Sequence, residues 1–116
     1  MGGEPAQIEA LNNISTAFMA SRALHVLADL GVADLIDDAP ERPDVLAAKL
    51  AVNADALARI MRYLSSHGVF EEPADGQFAH SPLSRFMRSD HPLSQRAWIR
   101  MIGYGTWDIA SNSTIR

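Results

Sequence analysis

A helical repeat of apolar residues with two different faces constrains this fold more than any other feature of the sequence. The first face lies in the N-terminal part of the segment and consists of Ile8, Leu11, Ile14 and Phe18. The second face lies in the C-terminal part and consists of Leu24, Leu27 and Leu30, with Ala23 and Val26 beside them. At about 100° per residue the two faces point more than a quarter-turn apart. The spacing therefore predicts one helix, over residues 7–30, that packs against two different surfaces.

The predicted helix is too long to be covered by a domain of this size. A helix of about 23 residues extends roughly 35 Å. A compact domain of 116 residues has a radius of gyration of only about 13 Å. We therefore expect the N-terminal half of the helix to pack on a surface outside this domain. The alternative is a kink around Ser21 that lets one core cover both apolar faces.

Residues 43–80 carry the signals of a helix-turn-helix. Pro43 suits the first position of a short helix that ends near Leu50, after an acidic loop. Asn53 can cap a second helix, and Gly68 supplies the left-handed residue that ends it. The apolar positions of the second helix, which are expected to be buried, are Leu57, Ile60, Met61 and Leu64.

A β-hairpin is predicted directly after the second helix. Val69 and Phe70 are expected to start a short strand, residues 73–76 to turn the chain, and residues 77–79 to pair back as a second strand. Two helices followed by such a hairpin make a winged helix-turn-helix. The sequence thus predicts a mainly α fold with a long N-terminal helix and a small β-hairpin wing.

The segment 81–116 is predicted to be helical with interruptions. Ser81 can cap a short helix that Pro82 opens. The apolar side chains of that helix are Leu83, Phe86 and Met87. A further helix is expected over residues 93–102, and the glycines of the Gly-Tyr-Gly run are expected to break it before helix resumes over residues 106–115.

A winged helix first suggests DNA binding, but the charges here argue against it. Base contacts come from basic and amide side chains near the start of the second helix, with support from a basic wing. That helix has only Arg59 and Arg62 as basic residues, and the wing carries Glu71, Glu72 and Asp75 instead. These carboxylates would repel a duplex where it has to be held. We therefore expect an interaction module with no nucleic-acid partner, and a dimeric winged-helix DNA-binding transcriptional regulator is the alternative.

The composition excludes several other classes of protein. With no cysteine, the chain has no disulfide framework, no thiol nucleophile and no cysteine zinc site, and we expect a cytoplasmic protein. No apolar run approaches the roughly 20 residues of a membrane span, and the N-terminus lacks the pattern of a signal peptide. A membrane partner is therefore not expected.

No motif of catalytic or metal chemistry is present in the sequence. The histidines are His25, His67, His80 and His91; they lack the spacing of a helical metal pair, and we expect them to be packing or turn residues. The acidic loop at residues 37–44 lacks the spacing of an EF-hand. The Gly-Tyr-Gly run has neither the third glycine nor the downstream acid of a dinucleotide-binding turn. We therefore expect no catalytic, cofactor-binding or metal-binding residue in this chain, which alone should catalyse no reaction.

Three runs of sequence together carry a resemblance to a known family. They are SRALHVLADLGVADLI, LAAKLAVNADALARIMRYLSSHGVFEE and FAHSPLSRFMRSDHPLSQRAWIRMIG. In this order they resemble the N-terminal dimerisation domain of S-adenosylmethionine-dependent O-methyltransferases. The group is that of the plant caffeic-acid-type enzymes and the bacterial hydroxyneurosporene and polyketide-tailoring enzymes. The resemblance covers nearly the whole chain, from about Ile8 onward.

The resemblance implies a homodimer in which the long first helix reaches the partner copy. The side chains expected at this interface are Ile8, Leu11, Ile14 and Phe18. It also implies one winged-helix dimerisation domain over residues 1–116, followed in the parent protein by a Rossmann-like domain that binds S-adenosylmethionine. The parent is then expected to methylate a small hydroxyl substrate of aromatic or polyketide type.

The same resemblance suggests which residues complete the pocket for this small-molecule acceptor. From the last segment these are Met101, Tyr104 and Trp107, which offer large apolar surfaces. From the first helix of the partner copy they are Phe18 and Met19. The alternative is that these side chains only fill the joint with the following domain.

Overall fold

The computed structural model describes residues 3–111, with side chains up to Tyr104. Within these residues the chain forms four α-helices and one antiparallel two-stranded hairpin. The elements are α1 (Gly3–Leu30), α2 (Pro43–Leu50), α3 (Ala54–Ser65), β1 (Glu71–Ala74), β2 (Gln77–Ala79) and α4 (Arg96–Ser111). Two 3₁₀ turns lie at Val32–Leu35 and Ser84–Met87. The predicted mainly α fold with a hairpin wing is confirmed.

α1 is a single helix of 28 residues, and only its C-terminal part joins the core. Leu27 and Ala28 are buried in that part, whereas every residue from Glu4 to Met19 is exposed. The helix ends at Gly31, whose φ of 76° lies in the left-handed region that glycine adopts freely. The alternative of a kink that brings both faces into one core is therefore wrong.

The exposed half of α1 gives the chain an extended shape. Its Cα radius of gyration is 16.1 Å, against about 13 Å for a compact domain of this length. A helix of this length extends about 42 Å, close to the longest dimension of the molecule, which is 45 Å. Within residues 3–111, no second layer covers the N-terminal half of α1.

The helix-turn-helix follows the predicted local signals. Pro43 occupies the first turn of α2, where its fixed φ is suitable. Ala51 ends α2 in the left-handed region with a φ of 57°. Asn53 caps α3, because its side chain accepts a hydrogen bond from the Ala56 N–H at 2.9 Å. Of the four apolar residues predicted to be buried in α3, only Ile60 stays half-buried.

The hairpin starts two residues later than predicted. Phe70 is not in a strand, since its φ of 68° is left-handed and its ring is fully buried. Its backbone N–H donates to Ser81 Oγ at 3.0 Å instead of to a neighbouring strand. The predicted turn over residues 73–76 is too long, because β1 extends to Ala74 and Gly76, with a φ of 73°, makes the tight turn. The second strand, β2, matches the prediction.

The predicted helix break at the Gly-Tyr-Gly run does not occur. α4 continues from Arg96 to Ser111 without interruption. Gly103 lies against α1, where a bare backbone lets the two helices come close, so this glycine serves packing and not helix termination. α4 also begins later than predicted, and Ser94 Oγ accepts the Arg96 N–H at 3.3 Å at its start. Residues 112–116, which include the end of the predicted helix, lie outside the described residues.

The short helix predicted after the wing is a 3₁₀ turn. Leu83, and not Ser81, is its cap residue, and it makes no side-chain cap hydrogen bond, so the predicted capping by Ser81 is wrong. Ser81 lies three residues before the turn, and its Oγ accepts the Ser84 N–H at 3.2 Å. Of its three apolar side chains only Met87 is buried, while Leu83 and Phe86 are 54% and 38% exposed. A turn of four residues is too short to direct all three side chains into one core.

The core lies where the C-terminal part of α1 meets α2, α3 and the wing. Its fully buried large side chains are Leu27, Ile36, Leu46, Leu57, Met61, Leu64, Phe70 and Phe78. α4 packs along α1 beside this core. That arrangement creates the cleft between the first and last helices.

Candidate dimerisation face and the cleft between the first and last helices

The N-terminal half of α1 carries an uncovered apolar stripe, which we call the N-terminal face. It consists of Ile8, Leu11, Ile14 and Phe18, which are 57%, 68%, 73% and 67% exposed. Large apolar side chains at this spacing are normally buried. A continuous apolar surface that stays open marks a site of association. The described part of the chain therefore presents a helix surface suited to an apolar partner.

α4 crosses α1 at the contact between Gly103 and His25. A Cβ on Gly103 would lie only 2.7 Å from His25 Cγ. The imidazole is 7% exposed, and its Nε2 lies 3.3 Å from Ser21 Oγ. Burial lowers the pKa of His25 below its usual value, and the charge of Arg22 lowers it further. The ring is therefore neutral at pH 7 and acts as a packing residue.

One turn further along α1, Asp29 joins two side chains of α4. Its Oδ1 accepts a hydrogen bond from the Tyr104 hydroxyl at 2.8 Å and another from Arg100 Nε at 3.1 Å. The Tyr104 bond is the main reason why the pKa of the Asp29 carboxyl is lowered, and Arg100 adds to it. These contacts fix the Tyr104 ring, which is 56% exposed, beside α1.

A cleft of about 150 Å³ lies between α1 and α4 around these contacts. Besides Asp29 and Gly103, it is lined by Arg22, His25, Val26 and Leu30 of α1 and by Arg100 and Tyr104 of α4. The lining combines two guanidinium groups, two aliphatic side chains and a phenol ring. Such a mixture of apolar walls and a few polar groups is typical of small-molecule sites.

The residues predicted to complete an acceptor pocket lie on two different parts of the structure. Phe18 and Met19 are exposed on the N-terminal half of α1, and Met101 and Tyr104 are exposed on α4. Among these four, only Tyr104 lines the cleft. The side chain of Trp107 lies outside the described residues. The common role of these residues stays a prediction.

Sequence reasoning named Tyr104 as a pocket residue but missed the charged side chains of the cleft, Arg22, Asp29 and Arg100. Arg22, Val26 and Asp29 follow at steps of four and three residues, which places them on one side of α1. This spacing places two charged side chains, Arg22 and Asp29, on the same side of the helix as Val26. The residues that complete the cluster, Arg100 and Tyr104, lie 71 and 75 residues further along the chain from Asp29. No local pattern pairs two helices across that distance.

Two arginines after the wing, Arg88 and Arg96, donate hydrogen bonds to backbone carbonyls at the end of α1 and in the turn that follows it. Arg96 donates from Nε to the Ala28 carbonyl at 2.7 Å. Arg88 donates from Nη1 to the Ile36 carbonyl at 2.6 Å, and His80 Nε2 donates to the same oxygen at 2.8 Å. Cationic donors are favourable at carbonyls that have no partner within a helix. His80, expected only in a turn, is thus a buried member of this network.

An ion pair joins the wing to α3, the helix that would have to contact the bases of DNA. Glu72 accepts hydrogen bonds from Arg62 Nε at 3.2 Å and from Nη2 at 3.1 Å. These bonds raise the pKa of Arg62 and lower the pKa of Glu72. Arg59 is the other basic residue of α3. A protein that binds DNA through its phosphates needs many more basic side chains. The geometry therefore does not favour the alternative of a DNA-binding regulator.

The described residues form neither a metal site nor a membrane-spanning helix. Among the side chains described between residues 3 and 104, no three His, Asp or Glu groups lie close enough together to hold a metal ion. Over the same residues, no helix is both long and apolar enough to span a membrane.

The sequence is similar to part of known methyltransferases. A family model described as the O-methyltransferase dimerisation domain matches residues 12–90. The chain is 40% identical over 101 residues to the phenazine O-methyltransferase PhzM of Lysobacter antibioticus, which corresponds to 84% of this chain and 30% of that enzyme.

Solved structures agree with this similarity. The crystal structure of LaPhzM matches 93% of this chain and 34% of its own chain, with a TM-score of 0.82 and 37% identity. CalO1, a methyltransferase of calicheamicin biosynthesis in its SAH-bound form, matches 85% of this chain and 29% of its own, with a TM-score of 0.76 and 35% identity. The chain thus spans about a third of the length of these proteins. The resemblance carried by the three sequence runs is confirmed.

Proposed function

Because this chain belongs to the family of O-methyltransferase dimerisation domains, we propose that it pairs with a second copy of itself through the N-terminal face of α1. The observation that carries this proposal is the exposure of that face. Its four large apolar side chains are each more than half exposed, on a helix that the rest of the described chain does not cover. A two-fold arrangement places the same face of each copy in the interface.

Burial of this face would contribute a free energy comparable with the cost of association. A large aliphatic or aromatic side chain contributes about 1.5–3 kcal/mol when it is fully buried. A two-fold interface buries the four side chains of both copies. The gain has to offset about 4–15 kcal/mol of lost translational and rotational freedom. Eight such side chains contribute at most about 12–24 kcal/mol, which is comparable with this cost.

For the parent protein we propose methyl transfer to a hydroxyl group of an aromatic or polyketide acceptor. This is supported by relatives that are O-methyltransferases, one of them acting on a phenazine, and by a related methyltransferase with bound SAH. S-adenosylmethionine supplies an electrophilic methyl group when bound in such a parent. The protein then contributes mainly by positioning the acceptor oxygen in line with that methyl group. The absence of cysteine supports a cytoplasmic location for this chemistry.

In this proposal the domain also completes the acceptor pocket. Met101, Tyr104 and Trp107 would contribute from one copy, and Phe18 and Met19 from α1 of the other. This role is supported by exposure, because none of the described side chains among them is buried in the core: Phe18, Met19, Met101 and Tyr104 are all exposed. No catalytic or cofactor-binding role is assigned to any residue of this chain.

Two charge substitutions test the interface. The variant with Leu11→Glu and Phe18→Glu is expected to be a folded monomer, because an apolar contact cannot accommodate desolvated carboxylates. Light scattering after gel filtration measures the mass, and circular dichroism checks the helix content. The matched control, Leu83→Glu with Leu93→Glu, changes side chains that are 54% and 66% exposed outside α1, and it should remain a dimer. A first variant that still has the mass of a dimer contradicts the proposed face.

A further inference from the structure

We propose that the N-terminal segment of α1, residues 4–16, becomes helical only when two copies pair, so that folding of this segment and dimerisation are one event. The proposal rests on the proposed function, because the partner is the second copy whose N-terminal face covers this one. It adds a condition to that function, namely that a single copy does not present its interface in the finished form.

Tertiary contacts do not stabilise this segment within one copy. Every residue from Glu4 to Met19 is exposed, and the first buried residue along α1 is His25. In proteins most of the stability of a helix comes from the packing of its apolar face. In one copy that contribution is missing over about four turns of helix.

The sequence of the segment also gives it a weak intrinsic tendency to form a helix. Its middle is the run Asn-Asn-Ile-Ser-Thr at residues 12–16, and all five belong to the types with lower helix propensity. Ser15 Oγ and Thr16 Oγ1 both donate to the Asn12 carbonyl, at 2.9 and 2.8 Å. Such bonds from a side chain back to the preceding turn slightly destabilise a helix. The run is therefore a weak point within the exposed half of α1.

Charge pairs do not offset this weakness. The charged residues of the segment are Glu4 and Glu9, and the next one along the chain is Arg22. Neither glutamate has a basic residue three or four positions away, so the segment lacks the ion pairs that stabilise isolated helices. Burial of apolar side chains against a partner is the contribution that remains.

The folded part of α1 supports only the residues next to it. It removes the cost of starting a helix, so the helix can extend from the core toward the N-terminus one residue at a time. Extension has to pass through residues 12–16 before it reaches the better helix formers between Ala6 and Leu11. That outer stretch is shorter than the roughly 12–15 residues at which an isolated helix becomes marginally stable. In a single copy we therefore expect the helix to begin near Ala17.

Pairing of two copies supplies the missing stabilisation. Ile8, Leu11 and Ile14 of the N-terminal face lie within the segment, and Phe18 lies just beyond it. Burial of these side chains against a second copy favours the helical form, since a helix brings them onto one side. Ordering of the segment then takes up part of the free energy gained on contact. Dimerisation consequently depends on helix propensity even at positions that point away from the partner.

The first test changes helix propensity without changing the interface. It uses the variant with Asn12→Ala, Asn13→Ala and Thr16→Ala, whose changed side chains all point more than a quarter-turn away from the N-terminal face. Because pairing requires this helix and alanine favours it, the variant should dimerise at least about tenfold more tightly. Sedimentation equilibrium measures the dissociation constant. A segment that is already helical in a single copy would gain equally in both states, so an unchanged constant overturns the proposal.

The matched control replaces the same three residues by serine. The helix propensity of serine is close to that of asparagine and threonine. The control therefore loses the same side chains without gaining propensity, and its dissociation constant should equal that of the unchanged chain. Equal tightening in the serine and alanine variants would refute the proposal, since the removed side chains and not helix formation would then be the cause.

The second test observes the segment in the variant with Leu11→Glu and Phe18→Glu. Glutamate forms helices about as well as leucine and better than phenylalanine, so these substitutions do not themselves oppose a helix. Hydrogen exchange should find the amides of residues 8–16 unprotected in this variant and protected in the dimer, with residues 24–30 protected in both. Circular dichroism should show a loss of about a fifth of the helix signal.

The outcomes separate this proposal from the proposed function. If the Leu11→Glu and Phe18→Glu variant keeps the mass of a dimer, the interface through the N-terminal face fails, and the coupling to folding fails with it. If the variant is a monomer in which residues 8–16 remain protected, the interface stands and only the coupling is overturned.

Discussion

Gly103 lies so close to His25 that no other amino acid fits at its position without a rearrangement. A Cβ built on Gly103 would be 2.7 Å from His25 Cγ, 2.9 Å from its Cβ and 3.1 Å from its Nδ1. The neighbouring Asp29 and Tyr104 are joined by a hydrogen bond of 2.8 Å just beyond this point. The close approach of α1 and α4 and the cleft between them therefore depend on one missing side chain.

We expect Gly103→Ala to destabilise the chain although alanine favours helices. The propensity of alanine would add about 1 kcal/mol in a helix interior, but overpacking against His25 costs about 1–3 kcal/mol. The expected net result is a loss of up to about 2 kcal/mol in the free energy of unfolding. Urea denaturation followed by circular dichroism measures it.

A second variant shows whether the ring of His25 is the cause. In a His25→Ala background the space beside Gly103 is free, so Gly103→Ala should become neutral or stabilising by up to about 1 kcal/mol. A loss of the same size in both backgrounds would mean that the contact with His25 does not control this crossing.

A buried serine joins the wing to the end of α3. Ser81 Oγ donates to the Gly68 carbonyl at 2.7 Å and accepts hydrogen bonds from the backbone N–H groups of Phe70 and Ser84. Ser81→Ala leaves buried polar groups without partners and should cost about 1–3 kcal/mol. The midpoint of urea unfolding reports the loss. The control Ser66→Ala, at an exposed serine, should change the stability by less than about 0.5 kcal/mol.

The stability of the chain should fall in mild acid because two histidines are buried in the neutral form. Burial is the main cause of the lowered pKa of both His25 and His80. The unfolded chain therefore takes up protons first as the pH drops below about 6.5, so the free energy of unfolding decreases from there down to the pKa values of the folded state. Above that pH these two residues should leave the stability unchanged.

Two measurements check this dependence. NMR titration should give pKa values below 6.5 for His25 and His80, in agreement with the direction of both shifts. Urea midpoints between pH 8 and pH 5 should show a smaller decrease in His80→Gln than in the unchanged chain. A His80 ring that titrates above 6.5 would reverse the sign of the expected effect.

Signals that depend on a few neighbouring residues predicted most of the elements correctly. Pro43 begins a helix and Asn53 caps the next one. That helix ends at Ser65 with Ser66 as its C-cap, and Gly68, which was predicted to end it, adopts a left-handed φ of 82° three residues later. The two faces of α1 also follow from spacing alone, since the Leu27 side is buried and the Ile8 side is exposed. Caps and helix faces are local properties, so the sequence pattern suffices for them.

Features that depend on distant segments could not be predicted in this way. The left-handed Phe70 is stabilised by Ser81, eleven residues away, and not by its neighbours. Glycine has a low helix propensity, so Gly103 was predicted to break the helix. The helix continues because this residue packs closely against α1. The cluster of Asp29, Arg100 and Tyr104 likewise exists only once α1 and α4 are packed together. Tertiary contacts decide these features.

Arg96 holds the start of α4 to the end of α1 in a way that lysine cannot reproduce. Its Nε donates to the Ala28 carbonyl at 2.7 Å, and its Nη1 donates to Ser89 Oγ at 3.0 Å. The three donors of an ammonium group all leave one nitrogen, which cannot replace the separate Nε and Nη1 positions, so Arg96→Lys should lower the free energy of unfolding by about 1–2 kcal/mol. Urea denaturation of Arg96→Lys and of the exposed control Arg42→Lys measures the difference. Equal midpoints would show that charge alone, and not the shape of the guanidinium, holds this junction together.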